Sequence, residues 1–289
     1  MVSRDNQNCL LSLQKDYVRL KNGKDALLAI IDEAEIPESV YNSNAIENST
    51  LTLAETEKIL LEMKVSRNIS LREVFEAKNL ARVMDYLRHK EKTLDLNTDL
   101  ILTLHQMFIG NINDTIAGKF RQKNEHVRVG NYIATPPEHI ESKIHSLLND
   151  YLSDNVSYFL DKIVKFHLEF ELIHPFVDGN GRIGRTVLNL QLAQYNLPPI
   201  TIRSKEKNNY HLAFVAYQNN KNTQKMEKII YLSVLESLHK RLAHLRGKKI
   251  VSVVEYAKTV NKTTSSVLNQ AARQTIPAFR ERGVWKIEF

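Results

Sequence analysis

The sequence predicts an all-α protein. Glycine occurs only nine times in 289 residues, and apolar residues recur at helical spacing along nearly the whole chain. Two stretches break this spacing, one at 120–137 and one in the tail from Gly247 onward, and both predict short β elements. We therefore expect a helical bundle with a short β-hairpin and a small C-terminal domain that resembles a winged helix-turn-helix.

Nine helices follow from the spacing of apolar residues before the tail. In chain order they are Asp25–Ala34, Leu53–Lys64, Leu71–Arg88, Thr98–Phe108, Pro137–Leu152, Asn155–Leu172, Ile183–Tyr195, Lys207–Tyr217 and Lys225–Leu245. Thr98 is the expected N-cap of the fourth helix, with Asp99 in its first turn, where a carboxylate stabilises the positive helix end.

A hairpin is predicted between the fourth and fifth helices. The alternation Val127-Arg128-Val129 is followed by the turn dipeptide Gly130-Asn131, and Pro136-Pro137 ends the segment. Alternating residues bounded by turn residues are typical of short paired strands.

The tail predicts a separate small module at 247–289. Two short helices, Val254–Val260 and Ser265–Arg273, are joined by a polar turn, and a short piece near Pro277–Arg282 leads to a strand at Val284–Ile287. Eight Lys/Arg against three Asp/Glu place +5 of the chain's formal charge of +7 here. Such charge can contact a phosphate backbone, so DNA is one expected partner. The alternative is a docking module that happens to be cationic.

Composition indicates a cytoplasmic protein with no membrane partner. No apolar run reaches the ~18 residues that a membrane span needs. The first fifteen residues lack the basic-then-apolar order of a signal peptide. Cys9 is the single cysteine, which excludes an internal disulfide and fits a reducing compartment.

The strongest chemical signal is the segment His174–Arg185, which has the sequence HPFVDGNGRIGR. The turn Gly179-Asn180-Gly181 lets several backbone N–H groups face one anion, because glycine tolerates positive φ. The predicted helix Ile183–Tyr195 follows at once, so this nest lies at a helix N-terminus, where positive charge favours phosphate. Arg182 and Arg185 are three residues apart and are expected to share one face of that helix.

Two further side chains of the segment complete the chemistry. Asp178 is a hard oxygen ligand of the kind that a magnesium–phosphate complex needs. His174 is the group of the segment that accepts a proton near neutral pH. The segment therefore predicts phosphoryl or nucleotidyl transfer to a hydroxyl.

The same segment resembles the signature of the Fic domain, His-Pro-Phe-x-Asp/Glu-Gly-Asn-Gly-Arg-x-x-Arg, at every specified position. The resemblance implies a Fic helical bundle and a protein adenylyltransferase, an enzyme that moves AMP from ATP to a protein Ser, Thr or Tyr hydroxyl. It also implies three regions: an N-terminal helical region at 1–69, a Fic catalytic domain at 70–246 and the module at 247–289.

The resemblance implies a role for each position of the signature. His174 would be the general base, Asp178 would hold Mg²⁺ with the ATP phosphates, and Arg182 would stabilise the departing pyrophosphate. Arg185 would bind the γ-phosphate. The remaining nucleotide-binding positions of the segment are Gly179, Asn180, Gly181, Ile183 and Gly184.

The hairpin resembles the flap of Fic proteins. Gly118-Lys119-Phe120-Arg121 is similar to the element that precedes this flap. The resemblance implies that the flap holds the target backbone by strand addition. Its nucleotide side would carry Val129, Gly130, Asn131 and Tyr132. The alternative is an ordinary surface hairpin.

An upstream motif, Ser43-Asn44-Ala45-Ile46-Glu47-Asn48, resembles the inhibitory motif of Fic proteins. The resemblance implies that Glu47 pairs bidentately with Arg185 and takes the cation meant for the γ-phosphate. Because Ser43 and Glu47 are in the same chain as the signature, self-inhibition in cis is implied. The alternative, on spacing alone, is a surface pair near a helix start.

The adenine pocket is weakly specified. Asn209, Tyr210 and Tyr217 are candidates, since relatives place aromatic and amide groups near the base on the corresponding helix; the alternative is that they are core residues. Two other functions stay open: a DNA-binding regulator whose Fic body senses nucleotide, and a hydrolase that removes AMP with water oriented by Glu47. The expected partners are ATP, a target protein, the chain itself as a target, and a second copy in a homodimer.

Overall fold

A computed structural model describes residues 3–65, 68–90, 93–129 and 132–289. These residues are mostly helical and form two small antiparallel sheets, which confirms the fold class. Two compact units can be distinguished. One contains Ile36–Tyr195 and Thr201–Glu227, and the other contains Val2–Glu35, Asn196–Ile200 and Lys228–Phe289. The three-region division at 69 and 246 stays a prediction.

The helices and strands are joined by short connections except at 110–127, where turns link the fifth helix to the first strand. They are α1 (Arg4–Lys21), α2 (Asp25–Ile46), α3 (Leu53–Glu57), α4 (Leu71–Lys90), α5 (Thr98–Ile109), β1 (Arg128–Val129), β2 (Tyr132–Ile133), α6 (Ile140–Ser153), α7 (Phe159–Ile173), α8 (Asn180–Gln194), α9 (Lys207–Asn220), α10 (Gln224–Arg246), β3 (Ile250–Ser252), α11 (Val253–Thr259), α12 (Thr264–Ala272), β4 (Ala278–Glu281) and β5 (Val284–Glu288).

The N-terminal helices differ most from the sequence prediction. The prediction contains no helix at α1, and it ends the next helix at Ala34, whereas α2 continues to Ile46. Pro37 lies inside α2 and cannot donate a backbone hydrogen bond. The helix continues past it because the later turns bury Val40 and Ile46.

The predicted cap of α5 is displaced by one residue. Asn97 is the N-cap, and its side chain accepts a hydrogen bond of 2.8 Å from the backbone N–H of Leu100. Thr98 is instead the first helical residue. An Asn side chain satisfies the unpaired amides of a first turn as well as Thr does, so the sequence alone does not choose between the two neighbours.

In the first unit, α7 packs between α6 and α8, and α8 also packs against α4 and α5. Phe108, Phe170 and Phe176 are fully buried among these helices. The hairpin is confirmed: Arg128 pairs with Ile133, and Val129 pairs with Tyr132, in antiparallel register. Gly130 and Asn131, the predicted turn, lie outside the described residues.

The second unit contains a three-stranded antiparallel sheet in the order β3-β5-β4. The piece predicted near Pro277–Arg282 is strand β4, and the prediction contains no strand at β3. A small apolar core lies between this sheet and helices α11 and α12; it consists of Val251, Val253, Ala257, Val267, Ala271, Ala278 and Ile287. Within the same unit, the buried Arg241 pairs with Asp32 and Glu35.

None of the helices in the described ranges combines the length and the apolar character of a membrane span.

Candidate active site

The loop between α7 and α8 contains the predicted catalytic residues. His174 ends α7 in the left-handed region, with φ of 50°, and its N–H donates a hydrogen bond of 3.0 Å to Phe170 O. The side chain of Asn180 closes the loop, since its Oδ1 accepts from Phe176 N and its Nδ2 donates to Phe176 O, both at 2.8 Å. The Asn180 amide group therefore holds the loop in shape.

The start of α8 differs from the predicted nest. Gly179 is the N-cap with φ of 85°, which favours glycine, but Asn180 and Gly181 already belong to the first helical turn. The anion-binding feature is therefore one positive-φ glycine followed by a helix N-terminus, where unpaired N–H groups and the helix dipole favour negative charge.

His105 holds the loop from α5. Its Nδ1 accepts a hydrogen bond of 3.0 Å from Gly118 N, so the proton of the neutral ring is on Nε2, which lies 3.1 Å from Asp178 O. The ring stacks on Phe176 with 3.7 Å between centroids. Burial lowers the pKa of His105 to about 4. This fully buried residue thus joins the catalytic loop to the segment before the hairpin.

Arg121 joins the same loop to the hairpin. Its Nε donates to His174 O at 2.8 Å, its Nη1 to Glu125 O at 2.7 Å and its Nη2 to Thr135 O at 2.7 Å. A planar guanidinium suits this arrangement because its donors are fixed in a fork. The last residue of the element before the hairpin therefore fixes the backbone of both the catalytic loop and the flap.

Asp178 belongs to a network of four charged side chains. It accepts a hydrogen bond of 2.8 Å from Arg182 and also pairs with Arg72. Glu76 pairs with the same two arginines, at 3.1 Å from Arg182 and 3.0 Å from Arg72. Arg182 is thus directed toward α4, away from Arg185, although the two were predicted to share one face. Nothing in the spacing of Arg72 and Glu76 indicates that they join this site.

Arg185 is directed toward the end of α2. Its Nη2 donates to Glu47 Oε1 at 2.9 Å and to Ser43 O at 2.9 Å, and its Nε donates to Ser43 Oγ at 3.0 Å. The contact with Glu47 is a single hydrogen bond and not the bidentate pair expected from the sequence, since Nη2 is shared with Ser43 O and Nη1 has no acceptor among the described residues. The motif at 43–48 and the signature therefore meet.

Glu47 also lies against the start of α8. A Cβ atom at Gly181 would overlap Glu47 Oε1 and would lie 3.0 Å from Arg185 Nη1. The carboxylate therefore occupies the space beside the helix N-terminus that the sequence assigns to phosphate. The absence of a side chain at Gly181 allows this approach.

A cavity of about 300 Å³ adjoins this contact. It brings together residues of α2, the hairpin, α7, α8 and α9. The lining residues are Glu47, Val129, Tyr132, Glu171, Leu172, His174, Gly181, Arg185, Tyr210, His211, Phe214, Val215 and Gln218. Among the predicted nucleotide contacts, Ile183 is instead buried in the core, and Gly184 packs against α7.

The three candidates for the adenine pocket are separated. Tyr210 lines the cavity, and its hydroxyl lies 2.7 Å from His167 Nε2. Asn209 is exposed and contacts Glu206 at 3.2 Å. The Tyr217 hydroxyl donates to Glu169. Neither Asn209 nor Tyr217 lines the cavity.

The sequence prediction lacks four cavity residues of α9: His211, Phe214, Val215 and Gln218. They recur at intervals of three and four residues, so they form one face of the helix. This periodicity was visible in the sequence, but it is also the pattern of a core face.

The His174 imidazole is neutral at pH 7. Burial lowers its pKa to about 4, although a hydrogen bond to the backbone of Glu171 opposes the shift. Nδ1 lies 3.3 Å from Glu171 O, so the neutral ring carries its proton on Nδ1 and leaves Nε2 able to accept one. Burial alone would raise the pKa of Glu47, but Arg185 and Arg182 overcome this effect and lower it. At pH 7 His174 is therefore neutral and Glu47 is ionised.

The residues present fit a Mg²⁺ ion that arrives with ATP. Asp178 Oδ1 accepts hydrogen bonds from Arg182 and Gly179 N. No cluster of three or more His, Cys, Asp or Glu side chains suited to a metal occurs among the described residues. Mg²⁺ typically binds through one or two carboxylates together with substrate phosphates, so a single aspartate at this loop is sufficient for a shared site.

The comparisons with known proteins agree with this geometry. The family profile described as Fic/DOC matches residues 95–192, which include the whole signature. The matched segment of this chain, residues 95–192, is a Fic domain. Protein adenylyltransferase fic-1 from Caenorhabditis briggsae is 30% identical over 178 residues, covering 60% of this chain and 34% of that protein. Protein adenylyltransferase Fic from Nematostella vectensis is 29% identical over 177 residues, covering 60% and 41%.

Solved structures show that the fold is shared more widely. A Fic domain containing signaling protein from Bacteroides thetaiotaomicron has a TM-score of 0.74 at 23% identity, covering 83% of this chain and 97% of that one. A Fic family protein from Desulfovibrio desulfuricans has a TM-score of 0.68 at 17% identity, covering 100% and 97%. The chain spans less than half the length of the curated relatives it matches.

Proposed function

We propose that this Fic domain protein is a protein adenylyltransferase that transfers AMP from ATP to a Ser, Thr or Tyr hydroxyl of a protein. One observation carries the proposal: a single cavity combines an uncharged imidazole, His174, with a cation, Arg185, beside a helix N-terminus at Gly181. A base and an electropositive phosphate site at one place are the groups that nucleotidyl transfer to a hydroxyl requires.

In the proposed reaction, the target hydroxyl oxygen forms a bond to the α-phosphorus of ATP as the bond to the β-phosphate oxygen breaks. The hydroxyl proton passes to Nε2 of His174, and pyrophosphate leaves. The N-terminus of α8 and Arg182 stabilise the charge that develops on the departing group. Asp178 would hold Mg²⁺, which supplies charge neutralisation of the phosphates when bound.

We propose that Glu47 restrains this activity in cis. The Glu47–Arg185 contact of 2.9 Å and the position of the carboxylate over Gly181 support the restraint. In this proposal a triphosphate and Glu47 compete for Arg185, because one guanidinium edge is left once Ser43 holds the other.

The base of the nucleotide is proposed to bind between the flap and α9. Val129 and Tyr132 of the hairpin form one side of the proposed pocket. Tyr210 and the cavity-facing residues of α9 that follow it form the other. An apolar and aromatic surface of this kind suits a planar purine. Gly130 and Asn131 stay predicted nucleotide contacts outside the described residues.

The test is incubation with ATP labelled at the α-phosphate, followed by mass spectrometry of the protein. Native chain is expected to label itself weakly, Glu47→Gly strongly and Glu47→Gly/His174→Ala not at all. The modified residue should gain the mass of AMP on a hydroxyl. Free AMP produced without labelled protein would support the hydrolase instead, and labelling that survives His174→Ala would contradict the proposed base.

A second candidate function, DNA binding by residues 247–289, is favoured by one observation. Helices α11 and α12 are joined by a short turn and followed by the β4–β5 hairpin, and Lys258, Lys262 and Arg273 are exposed without ion pairs among the described residues. This order of elements suits a winged helix-turn-helix.

Fluorescence anisotropy of a labelled duplex in rising salt tests this candidate. Binding that weakens steeply with salt is expected, and Lys262→Ala/Arg273→Ala should reduce the slope of the log–log plot by about 1 to 2. Lys286→Ala is the matched control, because Lys286 is held by Glu281. A chain that fails to bind duplex at low salt is not a DNA-binding protein.

A further inference from the structure

A second carboxyl group, that of Glu171, lies in the same cavity as Glu47 and His174. Its Oε1 is buried and accepts no hydrogen bond from any described residue. The atom is pressed against α8, since a Cβ atom at Gly184 would lie 2.5 Å from it. Buried carboxylate oxygens are normally hydrogen-bonded, so this one requires an explanation.

Charged and titratable groups face Glu171 from every element packed around it. They are Glu47 just beyond α2, His167 of α7, His174 at the end of α7, Arg185 of α8 and Tyr210 of α9. His211 of α9 lines the same cavity. Arg185 is the cation whose charge lowers the pKa of Glu171. Nη1 of Arg185 is buried and has no hydrogen-bond acceptor among the described residues. One guanidinium therefore lies beside two carboxyl groups, and of these two it donates a hydrogen bond to Glu47 but not to Glu171.

We propose that Glu171 is a positioning residue for Arg185. When Glu171 is a neutral acid, the Arg185 guanidinium is available to bind another anion; when Glu171 is a carboxylate, it pairs with the guanidinium itself. The inference rests on the proposed function, in which the outside anion is either Glu47 or the γ-phosphate of ATP. Glu171 is then a third competitor for Arg185, and it competes only when its carboxyl group has lost its proton.

The protonation of Glu171 supports this assignment. Burial raises the pKa of its carboxyl to about 8, with Arg185 opposing the shift and Glu47 adding to it. At pH 7 the group is therefore mainly neutral. Burial lowers the pKa of His174 to about 4 and that of His167 to about 3, and it raises that of Tyr210. Glu171 is thus the member of this cluster that titrates between pH 7 and pH 9.

Ionisation of Glu171 has one direct consequence. A carboxylate beside Arg185 neutralises the guanidinium and repels any other anion there, whether Glu47 or a γ-phosphate. Because binding of a γ-phosphate then requires Glu171 to regain its proton, affinity for a triphosphate should fall as the pH rises above about 8. One linked proton corresponds to a tenfold loss per pH unit.

The experiment measures the dissociation constants of a non-hydrolysable ATP analogue and of ADP by calorimetry, from pH 7.5 to pH 9.5, in the Glu47→Gly variant. The range begins above the phosphate ionisation near 6. The analogue is expected to bind about tenfold more weakly per pH unit above the pKa of Glu171, which loss of Glu47 lowers from its value in the unaltered chain, whereas ADP, which lacks the γ-phosphate, should change much less. Adding Glu171→Gln, which imitates the neutral acid at every pH, should abolish the loss.

Two controls make the outcome decisive. Glu169→Gln changes a carboxyl two residues earlier on α7 that contacts Tyr217 and Lys221, and it should retain the pH dependence. An infrared band of a protonated carboxyl should be present at pH 7 in the unaltered chain, be lost by pH 9.5 and be absent from Glu171→Gln. The band is a readout of Glu171 that does not depend on nucleotide.

Failure of this inference can be distinguished from failure of the proposed function. If Arg185→Ala leaves the preference for the analogue over ADP unchanged, the γ-phosphate assignment is wrong whatever Glu171 does. If Arg185→Ala abolishes that preference but Glu171→Gln has the same pH profile as its parent, Glu171 has no positioning role. A Glu171 that is ionised at pH 7 would also overturn the inference.

Discussion

Glu47→Gly removes one hydrogen bond and one carboxylate from the cavity. The lost contact is Arg185 Nη2 to Glu47 Oε1 at 2.9 Å, and the space over Gly181 becomes free. Ser43 still holds the other edge of Arg185 through its Oγ and its carbonyl oxygen. The guanidinium therefore stays in place while its anion is removed, so the substitution should open the phosphate site without displacing it.

The expected gain in ATP affinity is about tenfold. A charge-assisted hydrogen bond contributes about 1.5–3 kcal/mol, but the Glu47 side chain is 33% exposed, and solvent screening moves the value to the lower end. About 1.4 kcal/mol corresponds to a factor of 10 in the dissociation constant. Glu47→Gln, which keeps a hydrogen-bonding side chain without the charge, should give roughly a threefold gain.

Calorimetric titration with the non-hydrolysable ATP analogue measures this gain. ADP provides the internal comparison because it lacks the γ-phosphate that is proposed to bind Arg185. The matched control is Glu38→Gln, which breaks an ion pair between α2 and Arg203, away from the cavity. Analogue affinity that is equal in native chain and Glu47→Gly, or a gain that Glu38→Gln reproduces, would refute competition for Arg185.

Three further outcomes are expected. His174→Ala should abolish AMP transfer in the Glu47→Gly background and leave ATP binding within about twofold, as calorimetry can check. In Glu47→Gly with His174 intact, the transfer rate should be lost only as the pH falls toward about 4, the pKa of His174. Arg121→Lys should lower the unfolding free energy by about 2 kcal/mol in urea titrations, because Lys keeps the charge but not the fork that reaches three carbonyls. Glu171→Gln should raise the unfolding free energy at pH 8 by about 4 kcal/mol and leave it nearly unchanged at pH 4. The sign follows because the folded chain holds a proton up to about pH 8 that the unfolded chain releases near 4.5, so native stability falls across that window; a native chain with a flat stability profile would contradict it.

The sequence predicted the site best where its residues share one short segment. His174, Asp178 and Arg185 come from a single loop and the helix after it, so their proximity follows from the chain itself. Arg121 and His105 reach the same loop from more than fifty residues away, and they do so through backbone carbonyls. Every residue type has the same backbone carbonyl acceptor, so the spacing of residue types in the sequence could not have predicted these contacts.

The direction of the two arginines was unpredictable for a different reason. Arg182 and Arg185 are three residues apart on α8, which limits the angle between them, but each long side chain turns toward the carboxylate nearest its end. Glu76 on α4 attracts Arg182, and Glu47 beyond α2 attracts Arg185. The choice is set by tertiary packing of α4 and α2, which local sequence does not encode.

Glu47, just beyond the end of α2, lies against the start of α8, where the proposed phosphate site is. A helix N-terminus attracts any anion, and a glutamate carboxylate presents two oxygens much as a phosphate does. Gly181, which lets a phosphate approach the backbone, lets Glu47 approach it equally closely. The proposed self-inhibition therefore requires no second site. The positive helix N-terminus, left open at Gly181, would attract the ATP phosphates and the Glu47 carboxylate for the same reason.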